Sequence, residues 1–193
     1  GVQGTSVCGV FGLAISTTGV NEKNLQRLGW DYGKVYLHPG QHASYYPNVR
    51  SIGLKLLFSN QDGRILGAQA VGEEGTDKRI DVIAMALQTG ATVFDLEEAE
   101  LCYAPQFGAA KDPVNMAGMI AANAIRGDAP LVHWQQLPDL GERLLLDVRN
   151  VDEFSAAVKP PVCLVKEIQF CAEVASKDVT AILLPQESFT LIC

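Results

Sequence analysis

The sequence predicts an α+β fold over residues 1–127, an antiparallel sheet with helices packed on one face, followed by a small, incomplete α/β segment. Three observations point there. The apolar runs SIGLKLLF and RILGAQAVG flank Asp62-Gly63, a pair suited to the positive φ angles of a tight hairpin, which makes the central strands antiparallel. Residues 77–90 and 113–127 carry apolar side chains at helical spacing and stop at Gly90 and Gly127. Beyond a linker over 128–140 the texture changes to LLLDVRN, an apolar run ending in polar residues, as buried parallel strands do; this opens a segment spanning 141–193.

Taken in order, VCGVFGLAIST alternates as a strand does. Asn21 then caps the helix NEKNLQRLG, which stops at Gly29, and YGKVYLHP follows as a strand. After the Asp62-Gly63 hairpin, Gly72 to Gly75 turns the chain, and Thr76 or Asp77 caps a helix whose Ile80, Ile83, Ala84 and Leu87 share one face. Asp95 begins a shorter helix, DLEEAEL, and Pro113 opens the last one at a first-turn position, where its missing N–H costs nothing. Met116, Met119 and Ile120 lie at helical spacing, as core or dimer-contact residues do.

Composition narrows the function. Of 193 residues, 48% are hydrophobic and 19% charged, a globular balance, and no apolar run approaches the roughly 20 residues of a membrane span. GVQGTSVCGVFG lacks the basic start and apolar core of a signal peptide, which points to the cytoplasm. A formal charge of -7 without a basic block argues against phosphate-backbone binding as the main task, so nucleic acid is not an expected partner. The 5 cysteines, Cys8, Cys102, Cys163, Cys171 and Cys193, are odd in number and form no C-x-x-C pair; they read as free, mostly buried thiols. His38 and His42 have no carboxylate or cysteine at ligand spacing and read as loop or interface residues, not metal ligands.

HPGQHASYYP, LLFSNQDGRILGAQAVGEEGTDKRIDVIA and YAPQFGAAKDPVNMAG are three separated blocks in a fixed order. Together they resemble the C-terminal dimerisation domain of FAD-dependent pyridine nucleotide-disulfide oxidoreductases of the coenzyme A-disulfide reductase type, over residues 5–127. The resemblance implies a homodimeric, FAD- and NAD(P)H-dependent reductase of a small disulfide or polysulfide. In that family the FAD site, the redox-active cysteine and the NAD(P)H site lie on two preceding nucleotide-binding domains. This chain contains no G-x-G-x-x-G fingerprint, so it reads as the C-terminal piece of a longer enzyme that binds no FAD tightly by itself.

Reducing a disulfide needs a donor for the departing thiolate. The resemblance assigns that task to tyrosines that reach from one subunit into the other's active site. By motif position these are Tyr45 in HASYYP and Tyr103 in YAPQF, with the backbone at Ala104 and Pro105 beside the partner's flavin. Without the resemblance, Tyr45 and Tyr46 before Pro47 are an ordinary loop anchor. Lys111 and Asp112 either order a substrate phosphate or an interface, or form a solvated loop pair, and Cys102 reads as a packing residue.

LLLDVRNVDEF is similar to the opening of a rhodanese domain, and FCAEVASKDVTAILLPQESF falls where such a domain has its cysteine loop, which implies Cys171 as a persulfide-carrying nucleophile. Ser176 and Lys177 stand where an arginine and a small residue are expected, and Pro160, Pro161 and Pro185 interrupt the stretch. The segment therefore reads as a truncated or degenerate rhodanese-like remnant. Two alternatives stand beside the reductase reading: a non-catalytic self-association module, and a sulfurtransferase acting through Cys171.

Overall fold

The computed structural model describes residues 2–133, 135–136, 144–147, 163–164, 179–183 and 190–192. The chain forms two compact units, Gly1–Arg126 and Gly127–Cys193. In the first, strands β1 (Ser6–Val10), β2 (Leu13–Gly19), β3 (Gly33–Leu37), β4 (Gly53–Phe58) and β5 (Ile65–Gly72) make an antiparallel sheet in the order β1-β2-β5-β4-β3. Four helices join them: α1 (Glu22–Leu28), α2 (Thr76–Thr89), α3 (Val93–Glu98) and α4 (Pro113–Arg126).

Strand alternation decides which face is covered. Val35 and Leu37 of β3, Leu54 and Leu56 of β4, and Ala68 and Ala70 of β5 are all buried, while Lys34, Tyr36, Lys55, Gln69 and Val71 alternate with them. Helix α2 packs on β2 and β5, and α4 on β3 and β4, contributing buried Ile80, Ile83, Val114, Ala117 and Ala121. Helix α3 lies against α4 at a distance only glycine permits, because a Cβ on Gly118 would stand 2.4 Å from the backbone nitrogen of Glu97.

Local signals held where they were chemical. Asn21 accepts the Asn24 N–H at 2.9 Å and caps α1, while Gly29 and Gly90 end α1 and α2 in the left-handed region and Gly127, at φ 80°, follows the end of α4. Corrections come where tertiary contacts compete. The opening run is two strands, broken at Phe11 and Gly12 with φ of 49° and 83°, the pair of positive angles a two-residue hairpin requires. In the β4–β5 turn only Gly63 (φ 71°) is left-handed, not Asp62, whose carboxylate instead accepts the Arg64 N–H. Gly75 is the N-cap residue of α2; Thr76 is buried, its hydroxyl 2.9 Å from that of Ser16. Helix α3 starts before Asp95, with Thr92 and Asp95 forming a reciprocal capping box.

On the face opposite α2 and α4, α1 presents Glu22 to the alternate side chains of β3 and β4. Its carboxylate accepts from Lys34 Nζ (2.7 Å), Tyr32 (3.0 Å), Tyr36 (3.4 Å) and the Lys55 ammonium. Cys8 and Cys102 are free and exposed, which corrects the expectation of mostly buried thiols for these two; Cys8 stands on edge strand β1, every residue of which faces outward.

The second unit contains β6 (Leu131–Val132), β7 (Leu144–Asp147), β8 (Cys163–Leu164), β9 (Val179–Leu183) and β10 (Thr190–Ile192), in the order β6-β10-β9-β7-β8. The apolar run of β7 lies between two parallel neighbours, β8 and β9, whereas β10 is antiparallel to β9 and β6. Among the described residues no helix is long and apolar enough to cross a membrane.

Burial raises the Glu22 pKa, but hydrogen bonds from Lys34, Lys55 and Tyr32 outweigh it and hold the carboxyl at about 2, below its ordinary 4.5. A depressed carboxylate contributes stability that is complete above the unfolded value and fades as pH falls towards the folded one. Urea unfolding of Glu22→Gln against the parent should therefore show a gap of about 2–3 kcal/mol at neutral pH. That gap should close as pH falls from 4.5 towards 2.

Candidate functional site

Two loops of the first unit converge on one surface. The loop between β3 and β4 closes on itself: Gly40 bridges Ser51, the Gln41 N–H donates to Arg50 O at 2.8 Å, and the buried Gln41 side chain accepts the Arg50 N–H and donates to Asn48 O. Asn48 takes the left-handed conformation, φ 66°, that the tight return demands. Tyr45 stands on this loop. Behind it His42 is buried, its ring edge-on to Tyr46 with centroids 5.5 Å apart.

The second loop runs from the end of α3 to the start of α4. Asn115 of α4 reaches back and donates to Leu96 O (3.1 Å) and Ala99 O (2.8 Å), fixing the end of α3 from which the loop departs towards Tyr103. Past Tyr103, Ala104 O accepts from the N–H groups of Phe107 (2.9 Å) and Gly108 (3.1 Å), folding the loop into a turn. One amide clasps the loops together: Ala43 N–H donates to Gly108 O at 2.8 Å and, more weakly, to Pro105 O at 3.3 Å. The hydroxyls of Tyr45 and Tyr103, 58 residues apart in sequence, consequently meet at 2.8 Å.

Beneath the clasp lies Arg79 of α2, only 2% exposed. Its guanidinium donates to Asp112 through Nε (3.3 Å) and Nη2 (2.9 Å), to Gln41 O through Nη2 (2.7 Å) and to Gly75 O through Nη1 (3.2 Å). Asp112 also accepts the Val114 N–H at 3.1 Å, while its own N–H donates to Asn115 at 3.2 Å, so it starts α4 as a capping residue does. Gly75 takes a left-handed φ of 74°, which favours glycine, and a Cβ there would lie 2.4 Å from Arg79 Nη1.

The two phenols differ from the buried groups in being reachable: Tyr45 is 74% exposed and Tyr103 46%. The hydrogen bond with Tyr45, aided by burial, pushes the Tyr103 pKa above its ordinary 10. Tyr103 is thus neutral at physiological pH. A neutral phenol donates one O–H and accepts in return, so the pair forms a two-member chain with one O–H left to face outward.

Of the residues singled out in the sequence, Tyr45, Tyr103, Ala104 and Pro105 are gathered here. Pro105 has no N–H, and the carbonyls of both Ala104 and Pro105 accept bonds within the clasp, which leaves the Ala104 amide as the one donor this dipeptide has to offer. Lys111 is exposed but Asp112 is buried, so the two are not a solvated loop pair; Asp112 belongs to Arg79. Cys102 is exposed beside Tyr103 and does not pack. Cys171 lies outside the described residues. Among the described residues no three His, Cys, Asp or Glu side chains gather as a metal site. Arg79 was missed. Its signal was present: Thr76, Arg79, Ile80 and Ile83 follow i, i+3, i+4, i+7, which puts a cation on the buried stripe of α2.

Residues 5–113 match the family model of the pyridine nucleotide-disulphide oxidoreductase dimerisation domain. The coenzyme A disulfide reductase of Staphylococcus haemolyticus is 38% identical over 118 residues, which cover 61% of this chain and 26% of that protein. The chain thus spans about a quarter of the length of the curated relatives it matches. Among solved structures, reduced CoADR-RHD of Bacillus anthracis superposes with a TM-score of 0.81 at 42% identity, covering 84% of this chain and 30% of that one. An NAD-dependent persulfide reductase from A. fulgidus does so with a TM-score of 0.76 at 33% identity, covering 86% and 30%.

The bond between the phenols is testable directly. Removing the Tyr45 hydroxyl with Tyr45→Phe should lower the titration midpoint of Tyr103 towards 10, followed by NMR of the labelled ring carbon next to the hydroxyl. An unmoved midpoint would mean the hydroxyls do not pair in solution.

Proposed function

The chain belongs to the dimerisation-domain family of the pyridine nucleotide-disulphide oxidoreductases, and from that premise we propose that it is the C-terminal part of a homodimeric, FAD- and NAD(P)H-dependent reductase of small disulfides or polysulfides, coenzyme A disulfide among them. Within it, Tyr45 and Tyr103 serve the active site of the partner subunit. The observation that carries this reading is the 2.8 Å contact between two exposed phenols on separate, clasped loops. Ordinary loop anchors bury their rings and leave hydroxyls to solvent; here the rings are exposed and the hydroxyls are paired.

The chemistry follows from the pair. When a mixed disulfide is cleaved, one sulfur departs as a thiolate, and a positioned donor lowers the cost of that charge. The outward O–H of the phenol chain supplies the donor, and the second hydroxyl stabilises the oxygen of the first as its proton is drawn away.

The flavin and the pyridine nucleotide supply the electrons. The residues of the first unit do not fit either as a resident cofactor: its sheet is wholly antiparallel rather than a βαβ unit, and the sequence has no G-x-G-x-x-G. Purified alone, the chain is expected to carry no stoichiometric flavin absorbance, and a yellow preparation would contradict that.

Self-association without catalysis is the competing reading, and full-length kinetics separate the two. In the reductase with its preceding domains, Tyr103→Phe should slow disulfide turnover by about ten-fold to several thousand-fold, the range for a lost donor or general acid. Tyr45→Phe should act in the same direction, and the double change should be less than multiplicative, since both hydroxyls serve one sulfur. Flavin reduction by NAD(P)H should be unchanged. Sulfur transfer through Cys171 is a separate reading, tested by thiosulfate turnover to cyanide in the parent and in Cys171→Ser; turnover equal in both would dismiss it.

A further inference from the structure

Buried ion pairs are poor sources of net stability: desolvation cancels most of the attraction, and apolar replacements of similar volume are often neutral or better. Arg79 and Asp112, 2% and 4% exposed, therefore call for another explanation than holding the fold together. Their contacts supply one. The guanidinium touches three separate pieces of chain: the turn before α2 at Gly75 O, the Tyr45 loop at Gln41 O, and the residue that ends the Tyr103 loop, Asp112. Gln41 in turn closes the Tyr45 loop on itself, and Asp112 joins Asn115, which holds the start of the Tyr103 loop through Leu96 O and Ala99 O. The planar fork of arginine can satisfy Asp112 bidentately while keeping donors for two carbonyls; a lysine ammonium cannot span the same set.

We propose that Arg79, with Asp112, is the positioning residue of the phenol pair: it sets the spacing of the two loops, and through it the Tyr45–Tyr103 contact, without touching any reacting atom. This rests on the reading of the phenols as the functional pair, but it concerns how they are held. Gly75 fits the same geometry, since it leaves room for Nη1.

The test uses the 193-residue chain and needs no turnover. Coupling between the phenols is read as the shift that Tyr45→Phe causes in the Tyr103 titration midpoint, measured in the parent and in three variants: Arg79→Met with Asp112→Leu, which fills the site without charge; Asp112→Asn, which keeps the α4 cap; and Arg79→Lys. Folding is checked by circular dichroism and urea midpoint. The expected result is a folded double variant in which Tyr45→Phe no longer moves Tyr103, a shift at least halved in Asp112→Asn, and no rescue by Arg79→Lys. A folded double variant, or a folded Asp112→Asn chain if the double variant is not folded, that keeps the parent's full coupling overturns the proposal; so does a parent with no coupling to lose. The functional reading fails separately. If coupling is lost as expected while full-length Tyr103→Phe turns over disulfide at the parent rate, Arg79 positions the loops but the phenols are not donors.

Discussion

The buried guanidinium of Arg79 is the interaction that the two tyrosine loops share, through Gln41 O and Asp112. Neither tyrosine loop has a regular ladder to define it, and each would otherwise lose conformational entropy of about 1–2 kcal/mol per ordered residue with few contacts in return. They are held by their own closing bonds, by the Ala43 clasp and by one shared cation, which faces Gln41 O in the first loop and the Asp112 carboxylate at the end of the second. The cation in turn is fixed because it stands on the apolar stripe of α2, between Thr76 and Ile80, with the sheet behind it. Removing one partner alone would strand a buried charge, a larger loss than the pair's own net contribution.

The two faces of the sheet are thereby put to different uses. The helix-covered face makes a conventional core of Leu54, Leu56, Ile80, Ile83, Val114 and Ala117, and carries α2 and α4 as rigid platforms for the loops at their N-terminal ends. The opposite face is only partly closed, by α1 and its Glu22 network, and elsewhere shows Ile15 and Val71 at 44% and 41% exposure, with a groove of about 310 Å³ between them and Gly53. Edge strand β1 and the fully exposed Phe11 at its hairpin tip continue that apolar surface. Such a surface suits a domain whose family is defined by dimerisation.

How much of this the sequence disclosed depended on the range of the forces involved. Helix ends written in single residues, such as Asn21, Gly29, Gly90 and Gly127, were legible because each acts on its own backbone. The break at Phe11-Gly12 was hidden, since a phenylalanine in the left-handed region carries no compositional signal and the alternation runs through it. Thr76 looked like a cap and instead became the buried partner of Ser16, 60 positions away. The tyrosines were legible only through a family resemblance: nothing local says that residues 45 and 103 meet. Arg79, Asp112 and Glu22 are the same lesson in electrostatics, because a charge reads as solvated until its partners, 33 residues away for Arg79 and 12 and 33 for Glu22, are known.

The central claim is that the phenol pair acts across a subunit boundary, and hybrid dimers test it most directly. One full-length subunit would carry Tyr45→Phe and Tyr103→Phe with its redox cysteine intact; the other would keep both tyrosines but have that cysteine replaced by serine. Each homodimer alone is impaired. Mixed in one dimer, they place an intact phenol pair opposite an intact cysteine at one of two sites, so the account predicts that disulfide turnover returns towards half the parent rate per dimer. Turnover no higher than that of the two impaired homodimers would contradict it.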